Sequence, residues 1–332
     1  MGPPFLLSRQ LALPVPVPEC DFFVTLSAKP ADRLTRALLS LEGLSVGDAF
    51  GEQFFVDPYK VNDLIEARTL PEPEWYFTDD TQMALSVVSI LRQYDKINQD
   101  ILAMSFGARY DARRGYGGAM HWLLPKLWQG GKWPEMAPLL FEGQGSYGNG
   151  GAMRATPVGA YFADDLELVV ENAAKSSVVT HAHPEATAGA IAVAVGAAIA
   201  AQCAGGPYPS RQEFLDGILA FVPDSVVREK IRHARALDPS ASVVLAMSAL
   251  GSGRDISAQD TCPFALWCAG GQLGSYEESL WLTVSGLGDR DTTCAMVGGI
   301  VALSAGGGSI PPAWTAAREV LPRWQLQETS EI

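Results

Sequence analysis

The chain has 332 residues, 48% of them hydrophobic and 18% charged, and its 37 acidic against 24 basic side chains give a formal net charge of -13. A chain of this length buries a large core, and its apolar content excludes a mainly disordered protein. The acid excess, with no run of Lys or Arg, argues against nucleic acid or an anionic membrane as partner, because either needs a basic face.

Residues 1–30 open with MGPPFLLSRQLALPVPVPEC. Prolines break the apolar stretch and no basic segment precedes it, so it does not read as a secretory signal. Leu6 stands where a myristoylation motif needs Ser or Thr. The expectation is a flexible, polyproline-like arm. From 31 to 325 the apolar spacing predicts helices over Ala31–Val46, Thr81–Tyr94, Gln99–Tyr110, Asp165–Ser176, Arg211–Phe221, Asp224–Ala236 and Tyr276–Val284, with Gly, Pro or Asn at the breaks. Strand patterns are almost absent. The stretches Ala186–Ala204 and Ala295–Gly308 consist largely of Ala and Gly, and the second is too short to span a bilayer. Both predict central buried helices of one soluble all-α domain. The five cysteines, Cys20, Cys203, Cys262, Cys268 and Cys294, are scattered, odd in number and form no CxxC pair. They predict reduced thiols of a cytoplasmic protein, with no cysteine zinc site.

Four polar clusters interrupt this helical background. Thr78-Asp79-Asp80-Thr81 precedes an amphipathic run, and Asp289-Arg290-Asp291-Thr292 precedes a small-residue run. Asp and Thr at helix starts are ordinary caps, yet paired carboxylates exceed what capping needs. If the two helices neighbour, four carboxylates and two hydroxyls offer hard oxygen ligands for one or two Mg²⁺ or Mn²⁺ ions. Gly143 to Arg154 is a glycine-rich segment able to cradle phosphate through backbone N–H groups, or else a plain inter-helix loop. The fourth cluster, Thr180-His181-Ala182-His183-Pro184-Glu185, reads as a helix start or as an imidazole placed for a ligand.

In this order, Gly47-Asp48-Ala49-Phe50-Gly51, Thr78-Asp79-Asp80-Thr81, Gly148-Asn149-Gly150 with Met153-Arg154, Thr180-His181 and Asp289-Arg290-Asp291-Thr292 resemble the ADP-ribosylglycohydrolase family. The resemblance implies a compact orthogonal helical bundle with two Mg²⁺ (or Mn²⁺) ions at the bottom of a cleft. It implies metal ligation by Thr78, Asp79, Asp80, Asp289, Asp291 and Thr292. It further implies binding of an ADP-ribosyl group by Gly145, Ser146, Tyr147, Gly148 and Asn149, with Phe141 stacking on adenine, His181 at the ribose and Arg154 helping to balance the diphosphate. The loop most resembles the branch that includes the ADP-ribosyl-serine hydrolases.

One departure matters. The glutamate that follows the Gly-Asp-x-x-Gly segment in well-known members aligns with Phe55 here. Glu52, one turn earlier on the presumed helix and so on nearly the same face, is the preferred substitute, with Asp57 the other candidate. The expected activity is Mg²⁺-dependent hydrolysis at the anomeric carbon of an ADP-ribosyl group, with Glu52 or a metal-bound Asp such as Asp291 taking the water's proton. The expected partners are an ADP-ribosylated protein or a small ADP-ribose conjugate, with no membrane and a monomeric state. The alternative is a non-catalytic ADP-ribose-binding member that has lost the base.

Overall fold

A computed structural model describes residues 30–322 of the chain. The expected N-terminal arm and residues 323–325 of the expected domain therefore lie outside the described residues, apart from Pro30, which already belongs to the first helix. Eighteen α-helical segments follow in order. The first half holds α1 Pro30–Glu52, α2 Pro58–Glu66, α3 Asp79–Tyr94, α4 Gln99–Ala108 and α5 Gly118–Trp128, then the short turns α6 Trp133–Met136, α7 Leu140–Gly143, α8 Gly150–Met153 and α9 Thr156–Tyr161. The second half holds α10 Leu166–Val178, α11 Pro184–Gln202, α12 Arg211–Leu219, α13 Val226–Ala236, α14 Val243–Leu250, α15 Ala258–Gly271, α16 Tyr276–Val284, α17 Arg290–Ala305 and α18 Pro312–Ala317. Among the described residues the only β pairing is two isolated bridges, Trp75 with Arg318 and Gly148 with Ser257. The all-α reading holds.

Helix α11 has a mean hydropathy of 1.5 and meets the length and composition of a membrane span. Its Ala188–Ala200 stretch is nevertheless buried throughout, inside the fold. Small side chains let neighbours approach on every side, which explains why a helix so apolar shows no polar face. The N-terminal break is built as the residues dictate: the His183 side chain accepts from Glu185 N, and Pro184 fills the first turn, where a missing N–H costs nothing.

The contact that places the site is α1 against α17. A Cβ on Gly43 would come 2.4 Å from Gly298 O, one on Gly47 2.2 Å from Cys294 O, and one on Gly51 2.2 Å from Arg290 O. Glycines at i, i+4 and i+8 line one face of α1, so the two helices meet antiparallel, backbone on backbone. No larger residue fits at any of the three positions. The α1 helix also runs on past Val46 to Glu52, beyond the predicted end, because the Gly-Asp-Ala-Phe-Gly segment stays helical when Gly47 and Gly51 are packed on α17. Phe50 then points into an aromatic cluster, stacked on Trp314 at 4.5 Å between centroids and edge-on to Trp281 at 5.1 Å.

Candidate active site

Asp48 leaves the middle of this packed segment and is fully buried. Its carboxylate accepts from Thr78 N at 3.0 Å, Thr78 Oγ1 at 2.9 Å, Thr81 N at 3.1 Å and Thr81 Oγ1 at 2.5 Å. A side chain on α1 therefore caps the N-terminus of α3 and holds the Thr78–Thr81 strip against α1. Thr78 Oγ1 also lies 3.0 Å from Asp80 Oδ2, so its single proton is shared between two carboxylates.

The α17 start reaches the same place. Thr292 Oγ1 donates to Asp80 Oδ2 at 3.3 Å, across 212 residues of chain. One carboxylate oxygen from each of Asp48, Asp80 and Asp291 lies within 4.8 Å of the others. The two acidic clusters therefore do face each other. Asp80 Oδ1 and Asp291 Oδ1 are buried with no hydrogen-bond partner. Buried acceptors left unpaired are costly, and a hard cation is the partner that both would accept. Asp48, whose oxygens are satisfied by Thr78 and Thr81, instead orients the strip that carries Asp80. The donor set is all oxygen, which fits Mg²⁺ or Mn²⁺ and not a thiolate-seeking metal.

Burial, and after it the crowding of like charges, raises the pKa values of these acids. Burial first, then the Asp48 charge, pushes Asp79 up to about 8. Burial, Asp48 and Asp289 push Glu52 up to about 7. Asp80 and Asp291 are raised well above the usual carboxylate range, again by burial first and by neighbouring carboxylates second. Asp289 is raised by burial, while a 2.6 Å bond from Asn149 Nδ2 opposes the shift.

Of these acids Asp79, Asp289 and Asp291 reach a cleft of about 340 Å³, whereas Asp48, Glu52 and Asp80 are not among its lining residues. Asp79, Asp289, Asp291 and Thr292 line it together with Phe141, Ser146, Tyr147, Gly148, Asn149 and His181, and Asn149 Nδ2 joins the two groups through its 2.6 Å bond to Asp289 Oδ2; Asp255 and Ile256 belong to the same wall. Phe141 and Tyr147 present half-exposed rings, with centroids 6.3 Å apart and planes at 31°. Gly145 is not among the lining residues. Its φ of +75° and the 2.9 Å approach of His183 N to its Cβ position make it a turn residue behind the loop.

The glycine loop is less open than its composition promised. Gly145 N donates to Leu140 O, Asn149 N to Ile256 O and Gly148 N to Ser146 Oγ. The N–H groups left for a cradle at the cleft are those of Ser146, Tyr147 and Gly150, the last being the uncapped first residue of α8. Arg154 does not reach the cleft either: it is fully buried, with Nη1 bonded to Gly150 O and Nη2 to Ser176 O and Thr180 Oγ1. The expected diphosphate contact from Arg154 is thus replaced by an internal brace.

The segment around Phe55 also differs from expectation. Helix α1 ends at Glu52, so Phe55 and Glu52 do not share a helical face. Phe55 turns outward, and Arg290 stacks on its ring with Cζ 4.7 Å from the centroid. Glu52 remains half-buried and within the field of Asp48 and Asp289. Asp57 is exposed, and its Oδ1 accepts from Tyr59 N as the N-cap of α2, away from the acid cluster's hydrogen bonds.

Gly115, Gly117, Gly118 and Ala119 complete the cleft wall and were not anticipated. Gly117 offers no side-chain cap to α5, leaving its positive N-terminal end turned to the cleft. The available signal was a pair of glycines directly before an apolar run.

The match to known proteins follows this geometry. A family model described as ADP-ribosylglycohydrolase matches residues 29–331. The chain is similar to ADP-ribosylhydrolase ARH3 of Homo sapiens, 29% identical over 282 residues and covering 74% of this chain and 75% of that protein. It is 33% identical over 291 residues to an uncharacterized protein of Archaeoglobus fulgidus, covering 82% of this chain and 88% of that one. Its fold resembles a solved chain of an ADP-ribosylglycohydrolase-related protein complex, with a TM-score of 0.56 at 20% identity over 87% of this chain and 94% of that chain. The chain belongs to the ADP-ribosylglycohydrolase family.

Proposed function

We propose that the protein is a Mg²⁺-dependent hydrolase that releases ADP-ribose from an ADP-ribosylated protein or a small ADP-ribose conjugate. The observation that carries this is the grouping of Asp80 and Asp291, each with an orphaned Oδ1, beside a cleft that Asp291 lines together with the glycine loop and two aromatic rings. Thr78, Asp79, Asp80, Asp289, Asp291 and Thr292 would hold the cations, two in number. Bound there, a divalent ion supplies a template and a more acidic water. Phe141 and Tyr147 would take the adenine, Ser146 and Tyr147 N–H the diphosphate, and His181 the ribose. The carboxylate-rich end favours the positive charge that develops at the anomeric carbon.

Glu52 is the base in this reading. Its oxygen takes a proton from the attacking water while the water's oxygen bonds to the anomeric carbon. The bond to the leaving group breaks as its electron pair departs with that group, which later takes up a proton. An acidity near 7 suits a carboxylate that must be charged yet basic at neutral pH. Asp291 is a ligand here and not the base. Among the described residues the thiols of Cys203, Cys262, Cys268 and Cys294 are free, which supports a reducing, cytoplasmic setting. A monomeric state is part of the same proposal.

The test is incubation with ADP-ribosyl-serine and ADP-ribosyl-arginine peptides and with acetylated ADP-ribose, with and without Mg²⁺. Free ADP-ribose should form from at least one of them and cease with EDTA. Tight ADP-ribose binding with no release from any substrate would establish the second reading, a binding protein, which Phe55 at the usual glutamate position favours.

A further inference from the structure

Beneath the cleft, three residues form a buried chain of hydrogen bonds. Arg154 Nη2 lies 2.8 Å from Thr180 Oγ1, and Thr180 Oγ1 lies 2.8 Å from His181 Nδ1. Arg154 and Thr180 are both fully buried, and His181 nearly so. Arginine only donates, so one lone pair of Thr180 Oγ1 is occupied by Arg154. The Thr180 proton must then find an acceptor, and among the described residues His181 Nδ1 is the one within reach. Were Nδ1 protonated instead, the buried Thr180 hydroxyl would be left without an acceptor, at a cost of about 1–3 kcal/mol.

We propose that Arg154 and Thr180 are positioning residues which fix His181 as the Nε2–H tautomer, so that the cleft presents a neutral, aimed donor to a ligand oxygen. The opposite edge of the ring agrees. His181 lines the cleft, and a Cβ on Gly150 would come 2.8 Å from Nε2 and 2.6 Å from Cε1. Gly150 therefore leaves room for the ring, and a Cβ on Gly148 would come 3.3 Å from its Nε2 and Cδ2. The brace itself is rigid: Arg154 also holds Gly150 O and Ser176 O, and its guanidinium lies 4.7 Å from the Phe106 ring centre. Burial first, and the Arg154 charge second, push His181 down to about 3, so the ring stays neutral at physiological pH. A neutral donor suits a ribose hydroxyl or ether oxygen. This part rests on the reading of the cleft as an ADP-ribose site, whereas the tautomer does not.

The experiment is nitrogen-15 NMR of the histidine side chains in the full chain without ligand, on the wild type, Thr180→Val and Thr180→Ser. The His181 resonances of the wild type should show Nδ1 unprotonated and Nε2 protonated. Thr180→Val should shift the population toward Nδ1–H, and Thr180→Ser should restore the wild-type pattern. ADP-ribose affinity by calorimetry with Mg²⁺ should fall about tenfold in Thr180→Val and recover in Thr180→Ser. A wild-type ring protonated on Nδ1, or a Thr180→Val ring with an unchanged tautomer, overturns the inference. The wild-type spectrum decides it even if Thr180→Val fails to fold. A correct tautomer in a protein that does not bind ADP-ribose would sustain the positioning role and overturn the proposed substrate instead.

Discussion

The acid cluster and the glycine-loop wall of the cleft are built from opposite materials. In the cluster Asp48, Asp79, Asp80, Asp289 and Asp291 crowd together, two of them with bare oxygens and all five with raised pKa values. In the loop wall Ser146, Tyr147, Gly148 and His181 offer donors and ring faces, and Asp255 lines the same cleft. The first end is poised for a cation and the second for an anion or a base. A ligand that carries a diphosphate and a sugar able to share oxygens with a cation uses both, and neither end alone specifies it. Under the proposed function the difference also separates the tasks: charge density would lie where bonds change, and shape where the ligand is recognised.

The sharpest way to break this division is at the acidic end. Asp80→Ala or Asp291→Ala should reduce turnover about a thousandfold or more, which corresponds to about 4 kcal/mol in the barrier. Initial rates at saturating Mg²⁺ check it, and near-normal turnover in either variant would remove the site. Next comes Glu52→Gln, with an expected fall in kcat of about a hundredfold or more and little change in ADP-ribose affinity. Equal loss of binding would assign Glu52 to structure instead.

Stability gives a third, milder contrast. Asp79 and Glu52 have pKa values raised to about 8 and about 7, so without a cation folding favours their protonated forms. The stability this contributes is complete below about pH 4 and lost as pH rises through 7 and 8. His181, with its pKa lowered, adds an opposite dependence only below about pH 6.5. The melting temperature in EDTA should therefore fall between pH 6.5 and 8.5, and Mg²⁺ should flatten the fall. A flat EDTA profile would mean the acids are better solvated than their burial implies. The smallest effect belongs to the recognition end: Tyr147→Ala should weaken ADP-ribose by about fivefold, or about 1 kcal/mol, with kcat nearly unchanged. A large kcat loss there would blur the division.

Much of this was legible beforehand because the signals were local. Paired carboxylates beside Thr78 and Thr292 exceed capping chemistry, and helical periodicity fills the chain. What was hidden depends on packing across long separations. Asp48 sits among Gly47, Ala49 and Gly51, and nothing local says that Thr78 and Thr81 will meet it 30 and 33 residues later. Arg154 beside a glycine loop reads as an anion ligand until Ser176 and Thr180 are seen to enclose it. The Glu52–Phe55 comparison assumed a helix that in fact ends at Glu52, a boundary set by the turn that follows and not by apolar spacing. The Gly117–Gly118 wall was missed because a helix start without a polar cap carries little local signal.

The glycine face of α1 has a consequence for how such a site tolerates change. Because α1 and α17 touch through their backbones, no exchangeable side chain sets the distance between Asp48 and Asp291. Substitutions elsewhere in the core alter stability but have little leverage on that distance. An inserted residue between Gly43 and Gly47, by contrast, turns Gly47, Asp48 and Gly51 together by about 100° around the helix relative to Gly43, which breaks the glycine face as well as moving the carboxylate. The interface acts as a ruler: point changes in the surrounding core leave it readable, and a single shift in chain length makes it useless.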